Sequence, residues 1–106
     1  MKTCYIDTDT RTIADLVEPG NLAEPAELSS GWCITRINVP AEHRGRGHGT
    51  AILKRLLADA DEEQVVLWLE VLSSGPLDRN ALTAWYERYG FELRPAGYMI
   101  RIPDRH

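Results

Sequence analysis

Apolar positions along the chain keep one of two periods, and the switches between them divide it into elements. From Trp32 to Val39 the run WCITRINV is dense in β-branched and aromatic residues that fit a pleated surface, and Pro40 stops it, which predicts a strand. Past a glycine-rich stretch the period lengthens. Ile52, Leu53, Leu56, Leu57 and Ala60 share one helical face while Lys54, Arg55 and Asp59 lie off it, predicting a helix from about Gly49 to Asp61. VVLWLEVL, 65–72, is too short and too rich in Val and Trp for another helix and reads as a parallel strand buried on both faces. Strand, loop, helix and strand together make a βαβ unit.

The flanks are less regular. KTCYID, Lys2 to Asp7, reads as a short first strand. Residues 10–30 carry Pro19-Gly20 and Pro25 around two weak apolar clusters, Ile13/Leu16/Val17 and Leu22/Leu28, which predicts a turn of helix and then an irregular connection. After the SSGP turn, 73–76, Leu82, Trp85, Tyr86 and Tyr89 mark a second amphipathic helix, with Gly90 as its left-handed cap and Phe91 making the accompanying apolar contact. FELRP and YMIRIP, on either side of Gly97, read as two closing strands.

A length of 106 residues fits one compact domain over 1–106 and is too short for two. With 43% hydrophobic and 26% charged residues, neither global disorder nor a coiled coil is expected. The net charge of -4 argues against nucleic acid or an anionic membrane as partner. The longest apolar run, VVLWL at 65–69, is far below the ~20 residues of a spanning helix. Cys4 and Cys33 lack CxxC spacing and sit among apolar neighbours, which reads as reduced core thiols in a cytoplasmic setting. The histidines at 43, 48 and 106 have no metal-ligating spacing, so no metal is expected.

The chemistry concentrates in HRGRGHGT, 43–50, at the mouth of the predicted helix. A helix N-terminus presents backbone N–H groups without internal partners and carries about half a positive charge. Gly45, Gly47 and Gly49 allow positive φ and remove the Cβ atoms that would hold a ligand away, and Arg44 and Arg46 add charged donors. That combination suits a pyrophosphate. It is neither a P-loop, since no Lys follows any glycine here, nor a dinucleotide GxGxxG, since Thr50 stands where the third Gly belongs.

With RGRGHG followed by LWLEV (67–71) and WYERYGF (85–91), the sequence resembles the GNAT superfamily of N-acetyltransferases over about residues 32–95. Arg44, Gly47 and Gly49 match the family's Arg/Gln-x-x-Gly-x-Gly/Ala signature, which cradles the pyrophosphate of acetyl-CoA. The resemblance implies an α/β (α+β) fold, a mixed, centrally splayed sheet with helices on both faces. It implies acetyl-CoA as cosubstrate, held by residues 44–50 (including His48 and Thr50) and by the strand edge Ile37, Asn38 and Val39, the N–H of Val39 donating to the thioester oxygen. Tyr86 falls at the position of the tyrosine that protonates the leaving thiolate. Glu70, the one charge inside VVLWLEVL, matches the proposed base of bacterial ribosomal-protein N-acetyltransferases, with ordered water or a structural ion pair as the alternatives.

Two departures matter. The family's cofactor-contacting Asn lies seven residues before the tyrosine, where this chain has Arg79 with Asn80 beside it. Only about 30 residues precede Trp32, fewer than the family uses for its acceptor groove, so either an open site for a large acceptor or a homodimer that completes the groove is expected. The implied reaction is acetyl transfer to a primary amine, on a small molecule or a protein. A non-catalytic CoA-binding module is the alternative, and a nucleic-acid binder using HRGRGH is disfavoured by the acidic balance.

Overall fold

The computed structural model describes residues 1–18, 31–71, 79–95 and 97–103. Within them the chain runs β1 (Cys4–Asp7), β2 (Thr12–Val17), β3 (Trp32–Asn38), α1 (His48–Glu63), β4 (Leu67–Glu70), α2 (Arg79–Glu87), β5 (Glu92–Leu93) and β6 (Tyr98–Arg101). The strands form one mixed sheet in the order β1-β2-β3-β4-β6-β5, with β3 and β4 parallel and the other neighbours antiparallel. The predicted βαβ unit is β3–α1–β4.

One expectation for the N-terminal part is overturned. Ile13, Leu16 and Val17 belong to β2 and not to a turn of helix, because Thr12, Ala14 and Leu16 alternate as buried residues with the less buried Ile13, Asp15 and Val17. That period of two is a strand's, and pairing on both edges, with β1 and β3, fixes it. The Leu22/Leu28 cluster and the SSGP turn lie outside the described residues.

Both described helices pack on the same face of the sheet. Ile52, Leu53, Leu56, Leu57 and Ala60 of α1 and Tyr86 of α2 join Leu16, Ile34, Leu67, Leu69 and Met99 in one buried cluster. Residues of β4 and β6 that point the other way, Trp68, Tyr98 and Ile100, gather with Cys33 in a second cluster, and no described helix lies on that face. Cys33 is buried as expected. Cys4 is not a core thiol: it alternates outward on the edge strand β1 and is exposed.

The end of α2 follows the predicted stop signal. Gly90 takes φ 93°, its N–H donates to Glu87 O (3.2 Å), and Phe91 N–H donates to Tyr86 O (3.3 Å), the paired bonds of a Schellman cap. Phe91 is buried against the Tyr86 ring at 5.3 Å between centroids. Arg101 on β6 then ties three elements together, donating from Nε to Tyr89 O (2.9 Å) and from Nη2 to Asp61 Oδ2 near the end of α1 (2.9 Å).

Strand β3 is where the sheet opens. It pairs with β4 only at Trp32↔Leu67 and Cys33↔Trp68, although it continues to Asn38 and β4 continues to Glu70. On its other edge β3 stays paired with β2 as far as Ile13↔Asn38. The register with β2 slips between Asp15↔Arg36 and Leu16↔Ile34, leaving Thr35 as an extra residue whose hydroxyl donates to Asp15 O (3.1 Å). Such a bulge bends and twists its strand. It begins just past the last pair with β4, and it brings Ile34 and Ile37, three residues apart, to the same core cluster. The parallel strand of 65–72 is correspondingly shorter than expected: Leu67, Trp68 and Leu69 are buried, and Glu70 is exposed.

Candidate active site

A cavity of about 680 Å³ lies where β3 has left β4. Its walls are the free end of β3 (Ile37, Asn38) with Val39 just past it, the glycine loop with the first turn of α1, and one side of α2. Pro40 and a single 3-10 turn, Ala41–His43, carry the chain from β3 into the loop.

The loop's conformation follows from its glycines. Gly45 and Gly47 both take φ 81°, a region that strains residues with a Cβ, and a Cβ added to either would meet nothing within 4 Å. Gly49 works differently from the expectation of positive φ. It is the second residue of α1, and a Cβ there would stand 3.3 Å from Val39 Cγ2, so its bareness lets the helix start close against the end of β3.

At its N-terminus α1 is uncapped by side chains: Gly47 is the N-cap, makes no side-chain bond, and the first turn holds no acidic residue. The first intrahelical bond runs from Ala51 N–H to Gly47 O (3.0 Å), so the N–H groups of His48, Gly49 and Thr50 have no carbonyl of the helix to bond. The 16-residue helix adds its dipole at the same point. His43, Arg44, His48 and Arg88 line the cavity, and none of its described lining residues is acidic. Arg44 is anchored there by Nε donating to Val39 O (3.0 Å), and the His43 and His48 rings meet edge to face at 5.9 Å. Unbonded amides, the helix dipole and cationic side chains together favour an anion at this end of the cavity.

Tyr86 also lines the cavity and is 9% exposed. Burial raises its hydroxyl pKa from 10.0 to about 12, so the phenol stays protonated at any working pH. Of the other residues singled out in the sequence, Arg46 and Asn80 are exposed and do not line the cavity. Glu70 does not line it either: Leu69 and Val71 on either side of it belong to the cluster that holds Tyr86, so Glu70 stands on the opposite face, paired in register with Tyr98. Residues that sequence reasoning did not assign to the site are Ala81, Leu82 and Trp85 of α2 and Arg88 just past its end. Their helical spacing around Tyr86 is the signal that could have found them. Among the described residues no group of three His, Cys, Asp or Glu could hold a metal ion, and no helix is long and apolar enough to cross a membrane.

The family model of the acetyltransferase (GNAT) domain matches residues 5–93. The chain belongs to the GNAT acetyltransferase family. Solved structures share the fold: the anti-CRISPR protein AcrVA5, at 15% identity with TM-score 0.59, covering 84% of this chain and 85% of that one; a putative GNAT-family acetyltransferase of Desulfovibrio desulfuricans, at 22% and 0.54, covering 84% and 58%; and Arabidopsis thaliana NAA60 in complex with a bisubstrate analogue, at 16% and 0.56, covering 88% and 63%. The match spans less than two thirds of the length of the last two. A search of curated proteins finds no match.

Proposed function

We propose that the protein transfers an acetyl group from acetyl-CoA to a primary amine by direct attack. The observation that carries this reading is one cavity in which an uncapped helix N-terminus, an unpaired strand edge and a buried tyrosine converge. Acetyl-CoA supplies the activated thioester. The N–H groups of His48, Gly49 and Thr50, with Gly45, Gly47 and the Arg44 guanidinium, hold its diphosphate. The free edge at Ile37–Val39 pairs with the pantetheine amides as an added strand would, and the Val39 N–H stabilises negative charge on the thioester oxygen.

Tyr86 donates its proton to the leaving thiolate; burial keeps the phenol protonated while making it a weaker acid than a free tyrosine, so the transfer relies on its position in the cavity. Glu70 takes the proton from the amine. Glu70 is exposed on the face of β4 opposite the Tyr86 cluster, so it receives that proton through ordered water or from an amine approaching on that face. Thiol release from acetyl-CoA with a panel of small amines and amine-bearing peptides tests the reading. Turnover that disappears in Tyr86→Phe supports it, and CoA binding with no turnover on any amine would replace it with a non-catalytic CoA-binding module.

A further inference from the structure

Trp85 stands between the two ends of this cavity. Its indole Nε1–H donates to Thr50 Oγ1 at 3.3 Å, across 35 residues of sequence, while its ring packs on Tyr86 at 4.9 Å and on Tyr89 at 6.0 Å between centroids. Thr50 is the third residue of α1, in the turn whose N–H groups are unbonded within the helix. With its oxygen accepting from Trp85, the Thr50 hydroxyl keeps its own proton to donate. Both residues line the cavity.

We propose that Trp85 is a positioning residue: its bond to Thr50 locks α2, and with it the Tyr86 phenol, to the anion-binding turn of α1, so that filling the diphosphate end sets the acid in place at the thiol end. The inference rests on the acetyl-CoA reading above. A phenyl ring keeps this wall apolar but cannot make the bond; the indole N–H joins α2 to Thr50 of α1. Thr50 then acts on both ends, donating to the anion and accepting from the helix that bears Tyr86.

A double-mutant cycle with Trp85→Phe and Thr50→Val, read with acetyl-CoA and with acetyl-pantetheine, which lacks the diphosphate, tests this. With acetyl-CoA, Trp85→Phe should lose about fivefold in affinity, the size of one lost hydrogen bond, Thr50→Val should lose more because its contact with the anion goes too, and kcat should fall in both. The double variant should be no worse than Thr50→Val, and Thr50→Ser, which keeps the hydroxyl, should restore the wild-type values. The losses should be smaller with acetyl-pantetheine than with acetyl-CoA, since no diphosphate is present to transmit. Additive losses, equal losses with both thioesters, or an unchanged kcat would overturn the coupling while leaving the acetyl-CoA reading intact. A wild-type chain that binds no CoA would overturn both. Thermal melts of Thr50→Val, nearly isosteric with the wild type, separate a folding defect from a lost coupling.

Discussion

The two edges of β3 divide the work of the molecule. Toward β2 the strand is paired from Cys33 to Asn38 through one bulge, and its exposed side chains make ordinary surface contacts such as Arg36 to Asp15 at 2.8 Å. Toward β4 it is paired at two residues and then stands free beside a cavity. A sheet edge with open N–H and C=O groups is a liability on a surface. Facing a cleft next to an uncapped helix, the same groups are open to the pantetheine arm of the proposed cofactor. Burying apolar side chains on one side of the strand and leaving backbone open at its end are compatible because the bulge at Thr35 separates the two tasks.

If the free edge is the working one, changes around it should act on activity far more than on stability. Tyr86→Phe should lower kcat by about 10²-fold with little change in KM for acetyl-CoA, as expected for loss of a general acid. An unchanged kcat would make Tyr86 a packing residue only. Gly47→Val forces a β-branched residue to φ 81° and should weaken CoA binding about tenfold in calorimetry, through roughly 1–2 kcal/mol of backbone strain. Glu70→Gln should lower kcat without altering CoA affinity, because Glu70 lies outside the cavity.

Two further tests probe the structural side. Burial raises both Tyr86 and Tyr5 to about 12, Tyr5 also being held by a bond to Asp59 at 2.5 Å. Above the ordinary tyrosine pKa of 10.0 the unfolded chain gives up these protons while the folded one keeps them. Stability present below pH 10 should therefore fall as pH rises toward about 12, and Tyr86→Phe should flatten that fall in denaturant titrations. Smallest of all, Arg36→Ala on the paired edge should cost at most about 1 kcal/mol, being an exposed ion pair, and leave CoA affinity unchanged. A large loss of affinity there would erase the contrast between the edges.

What the sequence made legible follows the strength of local signals. The α1 stripe, the Gly90–Phe91 stop and the glycine loop each depend on residues close together in the chain, and each appears where its pattern predicts it. Strand β2 was hidden because Ile13, Leu16 and Val17 fit a helical spacing, while its alternation rests on Thr12, which is polar, and Ala14, whose small side chain gives only a weak apolar signal. The bulge at Thr35 and the early parting of β3 from β4 arise from pairing between distant segments, which no single stretch records. For the same reason Trp85 and Leu82 read as core positions on a helix face, and their place on the cavity wall emerged only with the fold.

The central claim is that the open amides of α1 and the free end of β3 bind CoA. Amide-resolved NMR of the labelled protein titrated with CoA tests it most directly. The account predicts the largest shifts at His48, Gly49 and Thr50 and at Ile37, Asn38 and Val39, with the β1–β2 pairs nearly still. Shifts that spare these six amides, or none at saturating CoA, would contradict it.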